Sequence, residues 1–265
     1  MEAFICATCG TQYPPAEEPP EACRICLDER QYVGPQGQSW TTMVERGRDH
    51  DNRIDELEPG LHGIGTDPSF AIGQRALLVN GLLWDCITLL DERTAEALDA
   101  LGDIHTIAIS HPHYYSAMVD WADRFDARIL LHAADRDWVM RPSERIDFWS
   151  GDRRRVSGEL ELIRLGGHFE GGTVCLWHIG AGGKGALLAG DIVQVVADRD
   201  WVSFMYSYPN LIPLAAGEVE RIRGIVETLE FDRVYGAWWD RIVVEDAKTK
   251  VLQSAERYVK ALVER

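Results

Sequence analysis

Two Cys-x-x-Cys pairs open the chain: Cys6-x-x-Cys9 and Cys23-x-x-Cys26, separated by a thirteen-residue loop. Two residues between cysteines let a tight turn present both sulfurs to one ion, and two such knuckles complete a tetrahedral four-thiolate site. A site of this kind has no open position for substrate, so its expected role is structural and its expected ion is zinc. A redox dithiol needs only one such pair, and incidental thiols need no spacing at all. Further along, His111-Pro112-His113 follows an apolar run, Gly166-Gly167-His168 sets an imidazole in a glycine turn, and Leu187-Leu188-Ala189-Gly190-Asp191 ends a hydrophobic stretch in a carboxylate. If 111–113 is extended, residues i and i+2 point the same way and both rings face one ion. A carboxylate closing so apolar a strand needs a partner, and a cation is a natural one.

Such residues need strand ends and turns to hold them. The apolar pattern predicts strands at 69–80 and 82–88 joined by a turn at Asn80-Gly81. A helix over 92–101 and a buried strand at 104–110 lead into His111, followed by a helix at 116–125 and a strand at 128–132. Further strands are expected at 160–165, 173–178 and 184–189. The final third then carries a helix at 217–229, a strand at 233–237 and a helix from 245 onward. Strands interleaved with helices point to an α/β protein. Residues 1–40, rich in cysteine and proline, stand apart as a small segment, with 41–265 as the main domain. Cys86 and Cys175 lie in apolar, strand-like stretches and read as core, as do His105 and His178. His132 is read either as supporting the site from its edge or as simply ending a strand, and His50 and His62 fall in loop-like regions. Asp85 is read either as a structural hydrogen-bonding group or as one that orients a ligand imidazole.

Composition narrows the classes. The 265 residues carry 27 Lys+Arg against 43 Asp+Glu, a net charge of −16, and 46% are hydrophobic. That apolar share is too high for general disorder. So acidic a chain repels phosphate, which disfavours nucleic acid and anionic membranes as partners. No apolar run approaches the roughly 18 residues needed to span a bilayer. The first residues, Met1-Glu2-Ala3-Phe4-Ile5-Cys6, lack the basic and apolar regions of a secretory signal. The expectation is a soluble cytoplasmic protein.

On these motifs the chain resembles the metallo-β-lactamase-fold superfamily of metal-dependent hydrolases. His111-x-His113 matches the opening of that family's HxHxDH motif, His168 its next histidine, and Gly190-Asp191 its metal-bridging aspartate, in order over roughly residues 55–245. The resemblance implies a four-layer αββα sandwich with metal at one edge of the sheets, the small N-terminal zinc ribbon lying outside the common fold. It also departs from the family. Tyr115-Ser116 stands where the motif has Asp-His, and Gly236-Ala237-Trp238-Trp239 where the last histidine belongs. Three usual ligands of a second metal are therefore missing, and one ion in the main domain, Zn or Fe, is expected.

With one ion, the resemblance implies a hydrolase, acting through metal-activated water on an ester, thioester or amide-like small molecule. Asp191 then binds the ion or orients the water, and Tyr115, Ser116 and Asp240 remain open as proton carriers. Two alternatives keep the same residues: a mononuclear iron oxygenase of a sulfur substrate, and a non-catalytic scaffold whose ribbon is an interaction module. Trp238 and Trp239 would wall a narrow pocket, and the aromatic stretch 204–210 nominates Tyr206 and Asn210 as substrate contacts or as part of a homodimer interface.

Overall fold

A computed structural model describes residues 1–264. The chain divides into two compact units, one made of Met1–Leu131 and Asp135–Phe148, the other of His132–Ala134 and the chain from Trp149 on.

The first unit begins with a three-stranded sheet in the order Gln12–Ala16, Glu2–Cys6, Trp40–Thr41. Ile5 is its central residue, pairing with Gln12 on one side and Thr41 on the other. The short helix Arg24–Leu27 completes the segment. The unit's larger sheet has seven strands in the order Ile146–Trp149, Arg128–His132, Thr106–Ala108, Leu82–Trp84, Ala76–Val79, Leu61–Asp67, Asp51–Glu58. The last four form an antiparallel meander, whereas Leu82–Trp84, Thr106–Ala108 and Arg128–His132 run parallel. Parallel neighbours need crossover helices, here Glu92–Asp99 and Met118–Phe125. Asp91 caps the first, its side chain accepting from the Thr94 N–H at 2.7 Å. Thr106–Ala108 is thus an interior parallel strand, and its carboxyl end delivers the chain to His111. In open α/β sheets that end is where ligands bind.

The second unit holds a six-stranded sheet in the order Arg153–Arg155, Leu160–Arg164, Thr173–Trp177, Ala186–Gly190, Arg233–Gly236, Ile242–Val243. Only Ala186–Gly190 and Arg233–Gly236 are parallel. Their connection carries two small hairpins and the helix Ala216–Glu227. Val174, Leu176, Leu187, Val219, Ile222, Val226, Val234 and Val251 belong to one buried apolar cluster, which the helices Ala216–Glu227 and Ala247–Val263 help to build.

The predicted order of elements from 76 onward is present, with strand 128–132 at the predicted bounds and most others shortened by one to four residues. The 69–80 strand is confined to Ala76–Val79. Several strands were not predicted, among them Ile146–Trp149, Arg153–Arg155 and Ile242–Val243 at sheet edges, and Asp51–Glu58 and Leu61–Asp67, so His62 stands on a strand rather than in a loop. Asp51–Glu58 is a sheet edge written almost entirely in charged and polar residues, the usual guard against edge-to-edge pairing, and such a sequence carries no apolar alternation to read. His105 and His178 are also corrected. His105 is exposed, and His178 has a side chain 38% exposed beside Glu161. Each stands just outside a short strand, where the apolar run has already ended. Cys86 and Cys175 are fully buried, as expected.

Candidate metal centres

Among the described residues, two groups place every donor atom within 4.8 Å of the others: Cys6, Cys9, Cys23 and Cys26, and His111, His113 and His168.

The thiol group is built by the ribbon. Cys6 ends a strand, Cys9 sits in the following turn, Cys23 caps the Arg24–Leu27 helix and Cys26 lies within it. All six cysteines of the chain are free, and these four are at most 2% exposed. The Cys6–Cys26 and Cys9–Cys23 sulfurs lie 3.5 and 3.6 Å apart. That is far beyond a disulfide bond. It is close to the edge of about 3.8 Å expected when four sulfurs surround a zinc ion at about 2.3 Å. Hydrogen bonds with Cys23, Cys26 and Cys9 pull the Cys6 thiol well below its usual range, while those with Cys23, Cys26 and Cys6 push Cys9 well above its own. Gln38 Nε2 donates to Cys6 Sγ at 3.2 Å and Tyr13 Oη to Cys23 Sγ at 3.5 Å, the N–H and O–H support that thiolates take from their surroundings.

The imidazole group has a different local cause from the one predicted. His111 is extended (φ −170°), but Pro112–Tyr114 forms one 3₁₀ turn, so the pair is not a strand-like i, i+2 pair. Pro112 occupies the first position of that turn, where its fixed φ is suited and its missing N–H costs nothing. The Tyr114 N–H closes on the His111 carbonyl at 3.1 Å. The two rings still come together, 5.1 Å apart at 75°. The Nε2 atoms of both are buried.

His111 is oriented from behind. Its Nδ1 lies 2.9 Å from Ser110 Oγ. The Ser110 N–H donates to Asp85 Oδ1 at 2.7 Å, and the Ser110 hydroxyl bonds the same carboxyl. With the hydroxyl proton on Asp85, Nδ1–H of His111 donates to Oγ and Nε2 keeps a lone pair for an ion. Burial pushes the Asp85 carboxyl up to about 7, against those two hydrogen bonds. Of the two roles read for Asp85, the structure thus supports orientation, exerted through Ser110.

His168 follows Gly166 and Gly167, both at positive φ (66° and 84°). A Cβ on Gly167 would stand 3.0 Å from Leu214 and 3.1 Å from Ile222, so the turn needs glycine sterically as well as conformationally. His168 Nδ1 lies 3.1 Å from the Met205 carbonyl, which fixes the proton there and leaves Nε2 as acceptor. Phe169 and Tyr208 pack on the ring at 5.2 and 5.5 Å.

Asp191 directly follows its strand and is 4% exposed, but it is not in the group whose donors all lie within 4.8 Å. Its carbonyl accepts from Tyr208 Oη at 2.7 Å. Burial, with Asp191 adding to it, pushes the Tyr208 phenol well up. Tyr115 is buried, and burial raises its phenol too. Ser116 is occupied elsewhere: Gln74 Nε2 donates to its Oγ at 3.0 Å, and that Oγ donates to the Cys86 carbonyl. From the 204–210 stretch, Met205 and Tyr208 touch His168, while Tyr206 packs against the apolar cluster and Asn210 is exposed. Trp238 and Trp239 are half-buried, and Trp238 lines a cleft of about 310 Å³ with Gln194, Asp240 and Arg241. His132 ends its strand, with Nε2 3.1 Å from the Gly151 carbonyl. Ser110 had no motif to announce it, whereas Met205 and Tyr208 belong to the aromatic 204–210 stretch, whose nominated contacts were Tyr206 and Asn210 instead. Met205 acts through its backbone, which no residue type signals.

No protein-family model matches the chain. Solved structures do. The chain is similar to VMB-1 (TM-score 0.60, 11% identity, 80% of this chain and 99% of that one). It is also similar to a B3 metallo-β-lactamase with an active-site glutamic acid (TM-score 0.55, 17% identity, 84% and 94%). A third likeness is to the chemotaxis sensor ODP in a peroxy diiron state (TM-score 0.52, 17% identity, 80% and 94%). These likenesses, with the element order above, define the class: the chain has the metallo-β-lactamase fold, carrying a four-cysteine cluster at its N-terminus. It is also 51% identical over 269 residues to the uncharacterized protein YmaE of Bacillus subtilis (strain 168), across 99% of this chain and 97% of that protein, and it belongs to that protein's family.

Proposed function

We propose that the chain is a metal-dependent hydrolase with one ion at His111, His113 and His168, acting on an ester, thioester or amide-like small molecule. The observation that carries this reading is the convergence of three buried imidazoles on a fold whose solved neighbours include metallo-β-lactamases. The donor set fits a divalent ion: imidazole nitrogens suit Zn²⁺ and Fe²⁺, and three protein ligands leave a position open. When bound, such an ion polarises a carbonyl and brings water to ionise near neutral pH.

The chain's own residues prepare the site. Ser110 and the Met205 carbonyl hold protons on Nδ1 of His111 and His168, so that both rings present Nε2. Asp191 serves as a further ligand or orients the attacking water, its backbone anchored by Tyr208. Tyr115 keeps its proton throughout the working range, which makes it a hydroxyl donor rather than a base. Trp238, with Trp239 beside it, and Arg241 offer a flat apolar wall and a cation to a small substrate. Tyr206 and Asn210 are the remaining substrate-contact candidates. Zinc is the proposed ion at both groups, and six free thiols suit a reducing, cytoplasmic setting.

Protein purified without added metal tests this by elemental analysis beside a panel of esters, lactones and thioesters. Two ions per chain, with turnover removed by a chelator, restored by Zn²⁺ and abolished in His113→Ala, support the proposal. Full occupancy with no turnover across the panel refutes hydrolysis, and iron in place of zinc at the imidazoles moves the reading to oxygen chemistry.

A further inference from the structure

We infer that the four-cysteine ribbon is a positioning clamp for the imidazole-bearing turn at 111–116, and that Gln12 carries the constraint. The inference rests on the reading of His111, His113 and His168 as metal ligands. Everything it invokes lies within the first unit.

Gln12 is the ribbon residue paired with Ile5, three positions after Cys9. Its N–H donates to the Ser116 carbonyl at 3.0 Å. Its side chain, 3% exposed, donates Nε2 to Asp120 Oδ2 at 2.6 Å and accepts from Arg141, whose guanidinium also binds Asp120 Oδ1 at 2.6 Å. Asp120 lies in the first turn of Met118–Phe125. One residue therefore ties the ribbon both to the end of the imidazole turn and to the helix that follows it.

Ser116 needs such a hold. Its φ is +44°, a region a serine rarely occupies and leaves unless its surroundings over-determine it. Three bonds do so: Gln12 N–H to its carbonyl, Gln74 Nε2 to its Oγ, and Oγ to the Cys86 carbonyl. Ser116 is only three residues past His113, just beyond the 3₁₀ turn Pro112–Tyr114 that contains it, so its placement sets the turn's exit.

The knuckle is itself seated. The Gly10 carbonyl accepts from Thr88 Oγ1 at 3.0 Å, and a Cβ on Gly10 (φ 79°) would stand 2.5 Å from that oxygen. Ribbon segments of this size draw their folding free energy from the ion they bind. Order at the four sulfurs therefore reaches Gln12, then Ser116, then the imidazole turn.

Co²⁺ titration of the full chain tests the clamp, because thiolate charge-transfer bands report the ribbon and ligand-field bands report the imidazoles. In Gln12→Pro, which removes the N–H that binds the Ser116 carbonyl along with the side chain's bonds to Asp120 and Arg141, the ribbon bands stay, while the imidazole ligand-field bands shift and that site's Co²⁺ affinity falls about tenfold, the low end for lost support behind a ligand. Amide exchange over 113–118 rises at the same time. In a Cys9→Ser/Cys26→Ser variant the ribbon bands vanish and the same losses follow. Unchanged spectrum, affinity and exchange in Gln12→Pro overturn the inference, whether or not the cysteine variant folds. If the parent chain takes up Co²⁺ only at the ribbon, the metal reading of the imidazoles fails. Exchange over 113–118 then decides the clamp alone: faster in Gln12→Pro upholds it, unchanged refutes it.

Discussion

Ser110 is a small residue with two obligations, since its hydroxyl lies between the His111 ring and a buried carboxyl while its N–H serves that carboxyl as well. Ser110→Ala removes the hydroxyl and leaves the N–H. His111 loses the acceptor that fixes its tautomer, and outer partners of this kind support metal affinity by about 10- to 100-fold. The expected result is a drop of that size in ion affinity at the imidazoles, read by competition with a chelator, while the thiol-bound ion is unaffected. Asp85 allows a separate test through pH. Its folded carboxyl titrates at about 7, whereas a free aspartate titrates near 3.8. The folded chain therefore holds this proton where the unfolded chain has released it, so the stabilising contribution is complete below about pH 4 and is lost as pH rises through about 7. A gap of this width corresponds to at most about 4 kcal/mol. Asp85→Asn cannot lose a proton. In chelator-treated protein its stability relative to the parent, from urea unfolding, is expected to rise between pH 5 and pH 8 by a few kcal/mol.

At the scale of elements, the site depends on turns that hold unusual backbone. Gly167 combines φ +84° with leucine and isoleucine side chains at the position of a Cβ. Gly167→Ala is expected to cost about 1–3 kcal/mol, combining left-handed strain with a clash that moves Leu214 or Ile222. It should also displace His168, so a lower melting temperature and a lost imidazole-bound ion are expected together. The glycines before His168 are plain in the sequence, as are the buried strands and their order, because apolar runs and turn residues are local signals. The 3₁₀ turn at Pro112 was harder to see: His-Pro-His is compatible with an extended pair, and only the following residues decide. The Asp51–Glu58 edge strand was illegible for the opposite reason, since its charged face answers to solvent rather than to a core. Tyr208 and the Met205 carbonyl reach His168 from 40 and 37 residues away along the chain, so spacing does not mark them; the aromatic 204–210 stretch was legible, but not which of its atoms meet the ring.

For the whole molecule, the two metal centres differ in the chemistry that should release their ions. Four thiolates form a soft, closed site, whereas three imidazoles are borderline ligands that lose their lone pairs on protonation. A thiol-reactive mercurial at pH 8 is therefore expected to free one ion per chain, the one held by Cys6, Cys9, Cys23 and Cys26, as followed with a chromogenic chelator. Acidification toward pH 5 without mercurial should release the other first, because an open three-imidazole site holds its ion less tightly than a closed four-thiolate one and yields sooner to competition from protons. The net charge of −16 reinforces the hold on both ions at low ionic strength, since a strongly acidic chain raises the local concentration of cations, and added salt screens that attraction. Ion retention at the imidazoles should consequently fall as salt rises from 10 to 500 mM at fixed pH. The roughly tenfold weakening expected of the imidazoles once the ribbon is lost leaves that ion bound, so release of both together under mercurial would show a dependence on the ribbon stronger than the clamp predicts. Release of neither, with all six cysteines modified, would show that no ion was held by thiolates.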